Sequence, residues 1–254
     1  FNNDGNSDIV TTNFNTNSVS IRLGDGNGGF SSSTNLAIAS NPHFVAVAEF
    51  DRDGNEDLAI ANWSSGNAAI QLGNGSGGFT GAGTGTVGTN PRGVAVEDFN
   101  GDGTLDVATV NVGTDNGVVR FLDANANGIG GFSFATGTNP YYITTADFNS
   151  DGNVDIATAN EGSSNVSILL LDGSGVTVGS SSIGVGANPY SVTVGDFNRD
   201  GNADFVTSSF GSNALSIRLG DGSGGFTNAP DVAIGTATNF VTVDDYDGDG
   251  IDDL

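Results

Sequence analysis

The chain has 254 residues and a formal net charge of −24, from 30 Asp and Glu against six Arg and no Lys. That balance excludes nucleic acid as a partner, because binding it needs a basic stripe. No apolar run approaches the roughly 18 residues of a membrane-crossing helix, and without Cys there is neither a disulfide nor a thiolate metal site.

Apolar residues make up only 36% of the chain, while Gly fills 41 positions. Such a composition means many turns and thin, β-rich packing. One unit is clearest over residues 41–89. Asn41-Pro42 opens it, since Pro ends the preceding segment and sets an extended start. His43 to Ala48 alternates as a first strand, an acidic loop runs from Glu49 to Asp57, and Leu58 to Asn62 is a second strand. Trp63 to Gly66 is a turn, Asn67 to Leu72 a third strand, Gly73 to Gly78 a hairpin turn, and Phe79 onward a weaker fourth strand. The same reading fits 90–138, 139–187 and 188–236, with Asn-Pro returning at 90, 139 and 188. Residues 1–40 supply strands two to four of a first unit, and residues 237–244 supply a strand one. Four short strands in a repeat of this length predict an all-β fold of propeller blades. A β-helix is the alternative, but its calcium-binding nonapeptides run in tandem, whereas these acidic loops stand 49 residues apart.

Asp98-Phe99-Asn100-Gly101-Asp102-Gly103-Thr104-Leu105-Asp106 has counterparts beginning at Glu49, Asp147, Asp196 and Asp245, and a shortened one at Phe1. Of the 30 acidic residues, 21 lie in these loops, so the charge is gathered rather than spread. Oxygens at positions 1, 3 and 5 converge only if the chain curls round a point, and Gly at position 6 supplies the backbone angles for that curl. Position 7 can add its carbonyl and Asp at position 9 closes the shell, giving about six or seven oxygens, which suits Ca²⁺ better than Mg²⁺. No His or Cys lies in any loop, which argues against zinc.

The candidate metal ligands are Asp4 and Asp8 in the first loop, and Glu49, Asp51, Asp53, Asn55 and Asp57 in the second. The third offers Asp98, Asn100, Asp102, Thr104 and Asp106, and the fourth Asp147, Asn149, Asp151, Asn153 and Asp155. Asp196, Asn198, Asp200, Asn202 and Asp204 follow in the fifth, then Asp245, Asp247, Asp249, Ile251 and Asp253 in the sixth. An EF-hand shares the first six positions but needs Glu at position 12 and flanking helices, where this chain has Ile60 or Thr109 between strands.

The stretch Asp98 to Ala108 resembles the FG-GAP/VCBS repeat of integrin α-subunit propellers and bacterial surface proteins. Leu219-Gly220-Asp221-Gly222-Ser223-Gly224-Gly225-Phe226 is similar to that family's second signature. The resemblance covers the whole chain. It implies a β-propeller with about five or six Ca²⁺ ions, held in the hairpin loops between strands one and two on one face of the disc. Two departures stand out: Glu49 replaces the leading Asp, and the first loop starts at position 2, so that Phe1, Asn2 and Asp4 take positions 2, 3 and 5. Arithmetic on this chain closes a single five-blade domain, with blade 1 from 1–40 plus 237–254 and blades 2–5 at 41–89, 90–138, 139–187 and 188–236. The resemblance favours seven blades, so the repeats also fit a larger ring.

Function is expected on the face opposite the acidic loops. Strand one opens there on His43, Arg92, Tyr141, Tyr190 and Asn239, and Trp63 shares its turn position with Phe14 and Phe210. Rings with polar edges suit sugar hydroxyls or a protein loop; the plainer reading is that each packs on its neighbour. The ligand-binding candidates are His43, Trp63, Arg92, Tyr141 and Tyr190. With one His and the acids committed to the loops, no enzyme is expected. These features point to an extracellular or cell-surface binding or adhesion module that takes a glycan or an extracellular protein. The alternative is a building block of a surface layer or filament, a homo-polymer, suggested by the same loop standing at both ends. Asn62-Trp63-Ser64, Asn74-Gly75-Ser76 and Asn165-Val166-Ser167 fit the N-glycosylation acceptor pattern.

Overall fold

Runs of β-branched and small residues between Gly- and Asn-rich turns favour short antiparallel strands. The computed structural model describes residues 1–254 except 39, 84, 236, 249 and 251, and except the side chains of residues 31–33. Five antiparallel sheets follow in chain order. The first holds β1 (Ile9–Asn13), β2 (Ser18–Gly24) and β3 (Phe30–Ala37). The second holds β4 (Pro42–Ala48), β5 (Asp57–Asn62), β6 (Asn67–Gly73) and a broken outer edge, β7 (Phe79–Gly81) and β8 (Gly85–Thr86). In the third are β9 (Pro91–Glu97), β10 (Asp106–Asn111), β11 (Asn116–Leu122) and β12 (Gly128–Ala135). The fourth has β13 (Pro140–Ala146), β14 (Asp155–Asn160), β15 (Asn165–Leu171) and β16 (Thr177–Gly184). The fifth has β17 (Pro189–Gly195), β18 (Asp204–Ser209), β19 (Ala214–Gly220), and β20 (Phe226–Asn228) with β21 (Val232–Ala233). Each is a simple meander, as the 49-residue pattern predicts.

The chain divides into two compact units, one of residues 1–98 and 102–133, the other of residues 99–101 and 134–254. In the first, Leu58 and Ile60 of β5 pack with Val19 and Ile21 of β2. Ala59 and Ala61 point the other way, into a cluster with Val94 and Val107. Every residue of β5 is therefore buried, because a second strand lies between two neighbouring sheets. In the second unit, Ala157 and Ala159 of β14 pack with Val192 and Phe205 in the same manner. Each fully buried Val, Leu or Ile contributes about 1.5–3 kcal/mol, so stability accrues sheet by sheet.

Polar staples set how adjacent sheets meet. Asn41, Asn90 and Asn188 sit before Pro with φ of 58°, 54° and 54°, the left-handed region that Asn tolerates best after Gly. The Asn41 side-chain amide donates to the Phe14 carbonyl at 2.9 Å, Asn90 to Trp63 at 3.3 Å, and Asn188 to Glu161 at 3.3 Å. Their own carbonyls accept from the N–H groups of Trp63, Val112 and Phe210. One residue thus ties the start of a sheet to its own turn and to that of the preceding sheet. Arg120 and Arg218 do similar work further out. They donate from Nε to the Thr86 carbonyl at 3.0 Å and to the Gly184 carbonyl at 3.1 Å, on the outer strand of the sheet before.

The Gly-Gly-Phe turns interlock with the acidic loops of the preceding sheet. The Gly77 N–H donates to the Phe1 carbonyl and Gly224 to Phe148, each at 3.0 Å. Phe79 meets Phe1 edge-on, and Phe226 meets Phe148, with centroids 5.7 Å apart in both pairs. Gly224 has a φ of +83°, and a Cβ there would meet a Leu170 methyl at 2.6 Å. The two sequence signatures of the repeat are thus the two halves of one contact.

The expected strand over 237–244 is not drawn among the described residues. That segment instead hangs on β17 and β18 by hydroxyl groups. The Val241 N–H donates to Ser191 Oγ, while Thr193 Oγ1 donates to the Val241 carbonyl and Ser208 Oγ to that of Asn239.

Replacing Asn41 tests the corner staple. Asn41→Ala is expected to lose about 2 kcal/mol, combining lost hydrogen bonds with left-handed strain. Asn41→Gly should lose about half of that, since Gly removes the strain alone; urea denaturation of both variants measures the difference.

Candidate functional site

Each acidic loop is shaped by its own backbone. Gly54, Gly103, Gly152 and Gly201 at position 6 have φ of 82–86°, as the curl requires. Position 4 is also left-handed, at Asn3, Arg52, Ser150 and Arg199 with φ of 56–62°. The leading carboxylate caps the turn. Asp147 Oδ1 accepts from the Asp151 N–H at 3.2 Å and its Oδ2 from Gly152 at 2.8 Å. Asp98 and Asp196 repeat this with Asp102 and Gly103 and with Asp200 and Gly201. The leading Glu49 accepts only from Asp53 N–H, at 3.0 Å. Position 5 accepts from the N–H of position 7 at 2.8 Å, in Asp4, Asp53, Asp102, Asp151 and Asp200 alike. At position 3, Asn149 and Asn198 donate to Asp151 and Asp200 at 3.0 and 2.9 Å. Position 7 points this way too, as Asn55 Nδ2 donates to Asp53 at 2.7 Å.

The ninth residue differs in kind. Asp57, Asp106, Asp155 and Asp204 are completely buried at the first residue of strand two. Asp155 Oδ2 accepts from the Phe148 N–H at 3.0 Å and Oδ1 from the Leu171 N–H at 2.8 Å. Asp57 repeats this with Phe50 and Gly73, and Asp204 with Phe197 and Gly220. Asp8 likewise accepts from the N-terminal amine of Phe1 at 2.6 Å and from Gly24 at 2.8 Å. A buried carboxylate at this position therefore joins the loop to the end of strand three.

Burial pushes the Asp155 carboxyl up to about 6, with Asp151 and Asp147 adding repulsion. Asp57 and Asp204 rise for the same reasons. Solvent-exposed Asp4 and Asp200 go the other way, held below the usual range by the N–H groups of Asn6 and Asn202. In two loops three carboxylates offer oxygens within 4.8 Å of one another, Glu49 with Asp51 and Asp57, and Asp245 with Asp247 and Asp253. Carboxylates gathered this closely repel one another, and an all-oxygen set fits a hard divalent cation. Asp249 and Ile251 of the sixth loop lie outside the described residues.

The other candidates gather at the opposite ends of the strands, about 20 Å away along a seven-residue strand. In the first unit, His43 stands edge-on to Phe14 at 6.0 Å and tilted on Trp63 at 5.9 Å. The Arg92 guanidinium lies 5.5 Å from the Trp63 ring centre and donates from Nε to His43 Nε2 at 3.2 Å. In the second unit, Tyr141 stacks on Tyr190 at 4.3 Å and 12°, and Tyr190 on Phe210 at 5.3 Å and 20°. All five sequence candidates are thus part of ring clusters, one in each unit. Phe14 and Phe210 complete them and are 39% and 44% exposed. Of the glycosylation triplets, Asn62 is completely buried and donates to Asn67, so it offers no acceptor in the folded chain.

Four-stranded meanders whose first hairpin is an acidic, glycine-curled loop define the blades of a β-propeller. The FG-GAP-like repeat family matches the chain at residues 1–60, 49–109 and 147–207, about two thirds of its length, and the chain belongs to that family. No curated protein matches it. Among solved structures it is similar to a functionally unknown protein from Desulfotomaculum acetoxidans, with a TM-score of 0.66 and 13% identity over 90% of this chain and 66% of that one. It is similar to an Agrocybe aegerita lectin specific for non-reducing terminal N-acetylglucosamine, with a TM-score of 0.57 and 19% identity over 92% and 64%. Virginiamycin B lyase from Staphylococcus aureus gives a TM-score of 0.59 and 13% identity over 91% and 68%. At these identities the likeness is one of fold, and this chain spans about two thirds of the length of each.

Three features escaped the sequence pattern. The double acceptor role of position 9 needs the end of strand three, which lies 16 residues on. The corner Asn was legible only as a residue that recurs at 41, 90, 139 and 188. The Gly-rich turns hide an acceptor as well, since Asp221 Oδ1 takes the N–H groups of Ser223 and Gly225.

A pair of substitutions separates shaping from cation binding. Asp155→Asn leaves one buried N–H facing an amide, and is expected to cost about 1–3 kcal/mol even in excess EGTA. Asp151→Asn keeps its Oδ1 acceptor, so it should match the parent in EGTA and fall behind only with calcium. Thermal melts of both variants in the two conditions check this.

Proposed function

We propose that this protein is an extracellular or cell-surface binding module, stabilised by Ca²⁺ and recognising a glycan or an extracellular protein through its aromatic clusters. The observation that carries the reading is the packing of Tyr141, Tyr190 and Phe210 into one stack whose last ring is partly open to solvent. Stacked rings ending on the partly exposed Phe210 offer flat apolar area beside polar groups, which suits the apolar face of a sugar or a protein loop. The lectin of the same fold supports sugar recognition as something this architecture can do.

Ca²⁺ would be held by the oxygens of positions 1, 3, 5 and 9, with Glu49, Asp51 and Asp57 already gathered. When bound it supplies positive charge, offsetting the burial and the carboxylate repulsion that raise Asp57, Asp155 and Asp204. Loops of this kind suit a compartment where calcium is abundant. A non-catalytic role is favoured by the state of the one His, whose Nε2 is occupied by Arg92. The lyase of the same fold makes turnover assays the counter-test.

Two outcomes are expected. Calcium at 100 times its Kd should add about 2.7 kcal/mol per site, seen as a rise of several degrees in melting temperature over EGTA; equal melts in both buffers would remove calcium from the proposal. On a glycan array, Tyr190→Ala and Trp63→Ala should lose bound signal at least tenfold while melting normally with calcium. Unchanged array signals in both variants would place binding elsewhere.

A further inference from the structure

The His43 cluster has a property that the all-aromatic stack of the other unit lacks. Its central contact holds for only one protonation state of one side chain. Arg92 Nε donates to His43 Nε2 at 3.2 Å, so that nitrogen must carry a lone pair and the imidazole must be neutral. The same ring rests on Trp63 at 5.9 Å and meets Phe14 at 6.0 Å. Arg92 in turn lies over Trp63. His43, Trp63 and Arg92 therefore form a triangle in which each member touches the other two.

We infer that this cluster is an acid-opened latch: protonation of His43 breaks its bond to Arg92 and drives the two side chains apart, uncovering Trp63 and releasing whatever the cluster holds. The chemistry is a proton gain only. A proton from solvent takes the Nε2 lone pair, and two donors then face each other with like charge. β1 brings Thr12, whose hydroxyl donates to the His43 carbonyl rather than to the ring. The following turn brings the Phe14 ring, the β5–β6 turn brings Trp63, and β9 brings Arg92. Of these only Arg92 is charged, and its charge has the wrong sign to favour imidazolium. Consistently, burial and then Arg92 lower the His43 pKa from 6.5 to about 4. The sign follows: between those values the unfolded chain takes up a proton that the folded cluster refuses, so His43 withdraws stability as pH falls from 6.5 towards 4. The release of a ligand rests on the binding role proposed above; the opening of the latch does not.

Trp63 is the only Trp in the chain, so its emission reports this cluster alone. In a titration of the calcium-loaded protein from pH 7 to 3, emission should change in one step with a midpoint near pH 4, while far-ultraviolet circular dichroism stays constant through that step. His43→Gln, whose amide oxygen can still accept from Arg92, should abolish the step. Arg92→Gln should move the midpoint upward towards 6.5. A step that survives in His43→Gln, a midpoint unmoved in Arg92→Gln, or loss of the circular dichroism signal together with the emission change would each overturn the latch. The binding role is read separately, from parent protein loaded on a glycan array at pH 7 and washed at pH 4. At least tenfold loss of bound signal on washing, absent in His43→Gln, supports release. An emission step without any array signal at pH 7 leaves the latch standing and sinks the binding role. Retained signal despite the step removes release from the inference.

Discussion

Every repeat is organised around one buried carboxylate. The ninth residue of the acidic loop is fully buried in four of the repeats, a placement that costs several kcal/mol for an ion without partners. It is made tolerable by two backbone N–H groups, one from the loop and one from the end of strand three. Those bonds give the carboxylate structural meaning, because they hold the first hairpin against the second. They do not offset its burial, which, with repulsion from Asp151 and Asp147, raises the Asp155 pKa although both oxygens accept hydrogen bonds. The Ca²⁺ proposed above would supply the positive charge that such a site lacks.

From that centre the order spreads by contacts between neighbouring sheets. The aromatic residue next to the leading carboxylate is covered by the Gly-Gly-Phe turn of the following sheet, as Phe148 is by Phe226. At the other end of the strands, the corner Asn ties each sheet to the turn of the sheet before. Both devices reach only one repeat away, so the array behaves as a chain of nearest-neighbour couplings. A loop perturbed in one repeat is felt first at the two sheets beside it.

The ring clusters are products of this stacking. Tyr141 and Tyr190 stand 49 residues apart and meet because their sheets are adjacent. Trp63 and Arg92 meet for the same reason. The first unit places an imidazole and a guanidinium among its rings; the second uses tyrosine and phenylalanine alone. One scaffold thus presents ring clusters of different chemistry, with an imidazole and a guanidinium in the first unit and stacked tyrosines in the second.

The sequence by itself determined the repeat, the strands and the acidic loop, because each rests on local rules: alternation, turn residues, and Gly where φ must be positive. The curl of that loop was legible for the same reason, since a nine-residue turn closed by Gly at position 6 is a local object. Position 9 was legible as an acid but not as a clamp, because its second partner lies on another strand. The strand expected over 237–244 is not drawn, and hydroxyls of Ser191, Thr193 and Ser208 bond its backbone, contacts between segments that no local pattern records. Tertiary structure alone decided that His43 accepts from Arg92, that Asn62 is buried in the folded chain, and that Trp63 and Tyr190 each sit within a cluster of rings. Each of these depends on which side chain a neighbouring sheet brings within reach, and that distance is set by packing between repeats rather than by order within one.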